Sequence, residues 1–112
     1  MVVGMTLIAK TWNNGHRHTS GAGYGIKITM QDREQFFNRS WQTVILHLSG
    51  NTNPIEVNVN KPSFWNRTCG ELINREIGLW LQRNNAATWL PRLPHRIRMT
   101  VVGEREFKIE LI

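Results

Sequence analysis

Cysteine is nearly absent. The single thiol, Cys69, in 112 residues excludes a disulfide scaffold and a cysteine-built structural zinc site. Aspartate is equally scarce. Asp32 is the only one, so there is no aspartate pair to hold a catalytic magnesium ion. A Ser-His-Asp set and a phosphate-cradling glycine loop are also missing. No apolar run approaches the ~20 residues that cross a bilayer. Met1 to Ala9 is apolar but lacks a basic start and a small-residue cleavage site, so no signal peptide is expected and a cytoplasmic location is. Repeats, low-complexity tracts and linkers are absent, and 1–112 reads as a single domain.

Acidic residues are in short supply. Eight acids face fourteen Lys and Arg, for a net charge of +6 and a pI near 10.5. Glu104, Glu106 and Glu110 crowd the C-terminal stretch, which leaves residues 1–103 more basic than the total. Arg83 to Arg98 holds four Arg and His95 with no acid. Ten of the fourteen cations are Arg, the side chain whose planar fork suits phosphate and base edges. This balance attracts polyanions, chiefly nucleic acid; the alternative is a basic protein with no specific partner. A hydrophobic fraction of 40% with 20% charged residues fits an ordered globular chain.

Alternation and turn signals outline the elements. Val2 to Lys10 reads as a strand with Met5, Leu7 and Ala9 on one face. Thr11 to Gly23 reads as loop, with turn signals at Asn13-Asn14-Gly15 and Ser20-Gly21-Ala22-Gly23. Tyr24 to Met30 alternates again. Asp32, with Gln35 at capping-box spacing, is expected to cap a short helix that buries Phe36 or Phe37 and stops before Trp41. Val44, Leu46 and Leu48 face Val59, Val57 and Ile55 across a turn at Gly50 to Asn53, which sets His47 opposite Glu56. Lys61 to Arg67 is irregular or extended. Thr68 and Glu71 suggest a box opening the main helix, whose apolar stripe is Cys69, Leu72, Ile73, Ile77, Trp80 and Leu81. Pro91 and Pro94 prevent its continuation. In the last hairpin Ile97, Met99 and Val101 face Leu111, Ile109 and Phe107 around Gly103-Glu104-Arg105. That register sets Thr100 opposite Lys108, and Arg98 opposite Glu110, which would neutralise it. The expected fold is α+β, mainly antiparallel: a small six-stranded open barrel (β-β-α-β-β-α-β-β) with one short and one longer helix plugging its ends.

Two stretches carry a family resemblance. The first is Gly25-Ile26-Lys27-Ile28, then Asp32-Arg33-Glu34-Gln35-Phe36-Phe37 and Val44-Ile45-Leu46. The second is Ile77 to Asn84, then Ile97 to Val101 and Phe107 to Leu111. Together they resemble the DNA-binding pseudobarrel of plant hormone-response transcription factors and of the recognition domains of some bacterial type II restriction enzymes. Leu90-Pro91-Arg92-Leu93-Pro94-His95 departs from the family, which has Gly-Asp between helix and strand. The resemblance implies duplex DNA as partner, with two segments straddling its major groove. By position these are Lys10 to Ser20 and Asn60 to Arg67. The first supplies Lys10, Trp12, Asn13, Asn14, His16, Arg17 and His18; the second supplies Lys61, Ser63, Trp65, Asn66 and Arg67. Asn can bond adenine at two points and Arg guanine, while Lys and Ser hold phosphates. The competing reading is structural: Asn and Gly make turns, and Trp12 and Trp65 fold back onto the barrel.

Catalytic signals each have an ordinary explanation. His16 and His18 have the spacing of metal ligands, yet no acid or Cys nearby completes a site, so a solvated loop is expected and no metal or cofactor. Glu106-Phe107-Lys108 matches half of a nuclease signature, but the two residues are also the outward positions of an amphipathic strand. Cys69 in a first helical turn would be acidified, or simply buried. His47 with Glu56 is a general-base pair or an exposed cross-strand pair. Asn38-Arg39-Ser40 and Asn66-Arg67-Thr68 match the glycosylation pattern by chance. No catalytic residue is assigned. The leading reading is a non-enzymatic DNA-binding module. The alternative is a small-molecule or protein-binding barrel, with a homodimer among its forms, because Trp12, Trp41, Trp65 and Trp89 lie off the core stripes.

Overall fold

The computed structural model describes residues 2–15 and 18–112. Its elements are β1 (Thr6–Asn13), β2 (Tyr24–Thr29), α1 (Met30–Phe36), β3 (Thr43–Leu48), β4 (Ile55–Asn58), α2 (Pro62–Trp65), β5 (Cys69–Ile73), α3 (Arg75–Arg83), β6 (Arg96–Gly103) and β7 (Glu106–Leu111). The strands form one sheet in the order β4-β3-β7-β6-β1-β2-β5. Every pairing is antiparallel except β3 with β7, which is parallel. The outermost strands, β4 and β5, come back into contact. Asn74, just after β5, donates through Nδ2 to the Glu56 carbonyl of β4 at 3.2 Å. The fold is α+β with a nearly closed, barrel-like sheet.

This corrects the expected six open strands and two helices to seven strands, near closure and three helices. The extra strand is β5, which the apolar stripe assigned to the main helix. Cys69, Leu72 and Ile73 fit a helical stripe, whereas a strand puts Leu72 on one face and Cys69 and Ile73 on the other. Contact decides between them. Leu72 turns inward opposite Ile26, and Gly70 lies so close to Phe64 that a Cβ would sit 2.8 Å from its ring. The helix starts only at Arg75, where the Asn74 side chain accepts from the Glu76 amide at 2.8 Å. Asn74 therefore caps α3, not Thr68. Ile77, Trp80 and Leu81 keep the helical spacing and are buried.

Smaller corrections follow the same logic. Thr29 caps α1, its hydroxyl accepting from the Asp32 amide at 3.2 Å; Asp32 sits in the first turn. β1 runs on through Thr11, Trp12 and Asn13, so Met5 is outside it and exposed, as is Met30 in α1. The β3–β4 register is Val44↔Val57 and Leu46↔Ile55, two residues from expectation. The slip leaves the inward faces unchanged. Ser49, beyond the paired residues, is engaged elsewhere: its amide donates to the Ile109 carbonyl and its carbonyl accepts from Trp80 Nε1. The β6–β7 pairs match expectation throughout, with a bulge between Val101 and Gly103.

Inward residues of the strands fill the interior. Ile26, Ile28, Leu46, Leu72, Ile97, Met99, Phe107 and Ile109 are all fully buried. α1 and α2 lie at one end of the barrel, with Phe37 against Phe64 and Phe107 at centroid distances of 5.2 and 5.1 Å. α3 lies at the other, bound to the β3–β4 turn through Trp80. Among the described residues, no helix is long and apolar enough to cross a membrane.

Candidate nucleic-acid interface

Strand register assembles a cationic row on the outer face. Lys10 of β1 lies directly opposite Lys27 of β2 on one side and Arg96 of β6 on the other. All three are exposed. Like charges opposite one another on a sheet repel. None of the three makes an ion pair with a described residue; the pairs present are Arg33–Glu34, Arg39–Glu34, His47–Glu106 and Lys108–Glu110. Glu71 is Lys27's neighbour on β5, but it is 9% exposed and closes no bridge. Arg98, opposite Ile8 and Glu110, is likewise unpaired, because Glu110 reaches Lys108 Nζ at 4.0 Å instead. The neutralisation expected from register does not occur.

Beside this row lies a groove of about 480 Å³, lined by Ile8, Lys10, Thr11, Trp12, Asn13, Lys27, Thr29, Cys69, Trp89, Arg92 and Pro94. Its floor is the outer face of β1, β2 and the start of β5. Its wall is the irregular segment after α3. Four contacts fix that wall. Thr11 and His95 exchange bonds, Thr11 N to His95 O at 2.9 Å and His95 N to Thr11 Oγ1 at 3.0 Å. The His95 ring bonds the Thr88 carbonyl at 2.9 Å and meets Trp89 edge-on at 6.1 Å. Cys69 lines the groove on an outward strand position and is half-buried, not a core residue of a first helical turn.

The expected site residues divide into two groups. Lys10, Trp12 and Asn13 line the groove. Asn13 also makes a turn, accepting from the Gly15 amide at 2.9 Å, and Asn14 is exposed. His16 and Arg17 lie outside the described residues. His18 is exposed, and its carbonyl accepts from Gln82 of α3 at 2.9 Å. A second link to α3 is the close approach of Gly21 to Gly78, where a Cβ on Gly78 would meet the Gly21 oxygen at 2.1 Å. The loop is thus seated on α3.

The second segment sits at the other end of the strip. β5 starts beside Thr29 and ends beside Gly25, so 60–67 and the β1–β2 loop flank opposite ends of β2. Asn66 and Arg67 are exposed, while Lys61 and Ser63 are half-buried. Trp65 is a correction: at 9% exposure it belongs to the core, its ring covered by the Arg39 guanidinium at 4.6 Å and Arg33 at 5.7 Å. Arg33 itself is 2% exposed. Its Nη1 donates to the Phe64 and Arg67 carbonyls, both at 2.8 Å, and so shapes the backbone that presents Arg67.

Sequence reasoning left Lys27, Arg92 and Arg96 outside the two segments, and placed Trp89 only off the core stripes. Pairing β1 with β2 through the 14–23 loop would have found Lys27; the β1–β6 pairing has no local signature. The His47–Glu56 pair expected from register does not form, because Ile45 lies opposite Glu56. His47 bonds Glu106, at 2.5 Å, and Glu56 instead accepts from Thr43 Oγ1 at 2.8 Å. Among the described residues, no three His, Cys, Asp or Glu side chains form a metal-holding group. No family model, no curated protein and no solved structure matches this chain.

Proposed function

We propose that this chain is a non-enzymatic module that binds duplex DNA along the outer strip of β6, β1 and β2. The observation that carries the reading is the row Lys27–Lys10–Arg96, three exposed cations in register that make no ion pair with any described residue. Such a row is repulsive in the free protein and becomes favourable when phosphates lie over it. Arg92, Trp12 and Asn13 extend it along the groove. The six residues of β2 hold the two flanking segments roughly 17 Å apart, enough to bracket a major groove ~12 Å wide. Arg67 and Asn66 at one end, with Asn13 at the other, supply base-reading chemistry. The alternative, a small-molecule or protein-binding barrel, draws on Trp12 and Trp89 in the same groove; the core itself is filled by apolar side chains.

Titration of a fluorescent duplex, followed by anisotropy over a range of salt, tests the proposal. With four cations engaged, the log–log slope should be about −3.6, and Lys27→Gln should reduce it by about 0.9. An absent or salt-independent interaction ends the reading.

A further inference from the structure

Beyond the strip, and resting on the duplex-binding reading, we infer that the turn at 90–93 is a minor-groove wedge. Leu93 N donates to Leu90 O at 3.0 Å, closing a β-turn with Pro91 and Arg92 at its centre. Pro91 presets the turn, and Arg92 has φ +64°, a conformation that favours glycine at this position. Arg92 therefore sits against its backbone preference. On either side of it, Leu90 and Leu93 are 69% and 65% exposed. Pro94 follows and stiffens the segment. Trp89, Arg92 and Pro94 line the basic groove, so the tip is continuous with the cationic strip and complementary to a polyanion.

Two solvent-exposed leucines flank this basic tip and are free to enter an apolar site. Base steps opened from the minor groove offer one, and arginine favours the negative potential of that groove. The ends of a β-turn lie under about 7 Å apart, a match for a groove ~6 Å wide.

The test uses a duplex with 2-aminopurine at a central TA step, a step that unstacks readily. The full chain should raise 2-aminopurine emission, and netropsin, which occupies the minor groove, should compete. The double variant L90S/L93S should lose the emission rise and bind about tenfold more weakly. Arg92→Gly should bind about tenfold more weakly too, yet melt no lower than the parent chain, since glycine accepts the positive φ. Duplex binding with silent 2-aminopurine, or L90S/L93S binding as tightly as the parent, overturns the wedge alone. A parent dimer that L90S/L93S converts to monomer also overturns it, assigning the leucines to a contact between copies. If the parent chain binds no duplex, the duplex-binding reading fails and the wedge falls with it.

Discussion

Gly78 shows how one missing methyl group joins two parts of the chain. On an isolated helix, Gly78→Ala would gain up to ~1 kcal/mol of helix propensity. Here the new Cβ would lie 2.1 Å from the Gly21 oxygen and 2.7 Å from its Cα. These are backbone atoms, so no rotamer change relieves the clash. The overlap wins, and the variant should lose about 2 kcal/mol, seen as a lower urea midpoint at unchanged slope. A raised midpoint would show that the loop is not seated on α3. Arg33 teaches a related lesson. In the sequence it is one of ten arginines that make the chain basic; in the fold it is a buried strut between α1 and the carbonyls of 64 and 67. Composition counts such a residue as surface charge because nothing local reveals what its donors will meet.

Among the elements, the legible ones have both faces and both ends marked. The β6–β7 hairpin has clean alternation on each strand and a glycine at its turn, and every expected pair formed. β5 had neither advantage. Its five residues are too few to separate a period of two from one of 3.6, and Thr68 with Glu71 imitated a helix start. A pair of variants separates the two assignments. Asn74→Ala should cost about 1 kcal/mol through loss of the α3 cap, with the tie to Glu56 lost as well. Thr68→Ala should stay within ~0.5 kcal/mol of the parent. Thermal melts with the opposite ranking would restore the longer helix. The site was readable to the same partial degree. Lys10, Trp12 and Asn13 fell within a segment that the family resemblance singled out by position, whereas Arg96 joined Lys10 only through a pairing across most of the chain.

At the scale of the whole molecule, the fold and the proposed interface pull against each other. The in-register cations work against the sheet that displays them, so Lys10→Gln should raise the melting temperature by about 2 °C while weakening duplex binding. Calorimetry and anisotropy on the same variant check both signs; a lower melting temperature would mean that the row is not repulsive. The parallel pairing of β3 with β7 has a different consequence. β7 lies between two groups of strands, β4-β3 on one side and β6-β1-β2-β5 on the other. Until residues 106–111 take their place, nothing in the sheet order joins those groups. Assembly therefore waits on a contact between segments some sixty positions apart, a slow kind of step, and a nascent or clipped chain lacking this segment would offer two raw strand edges to its neighbours.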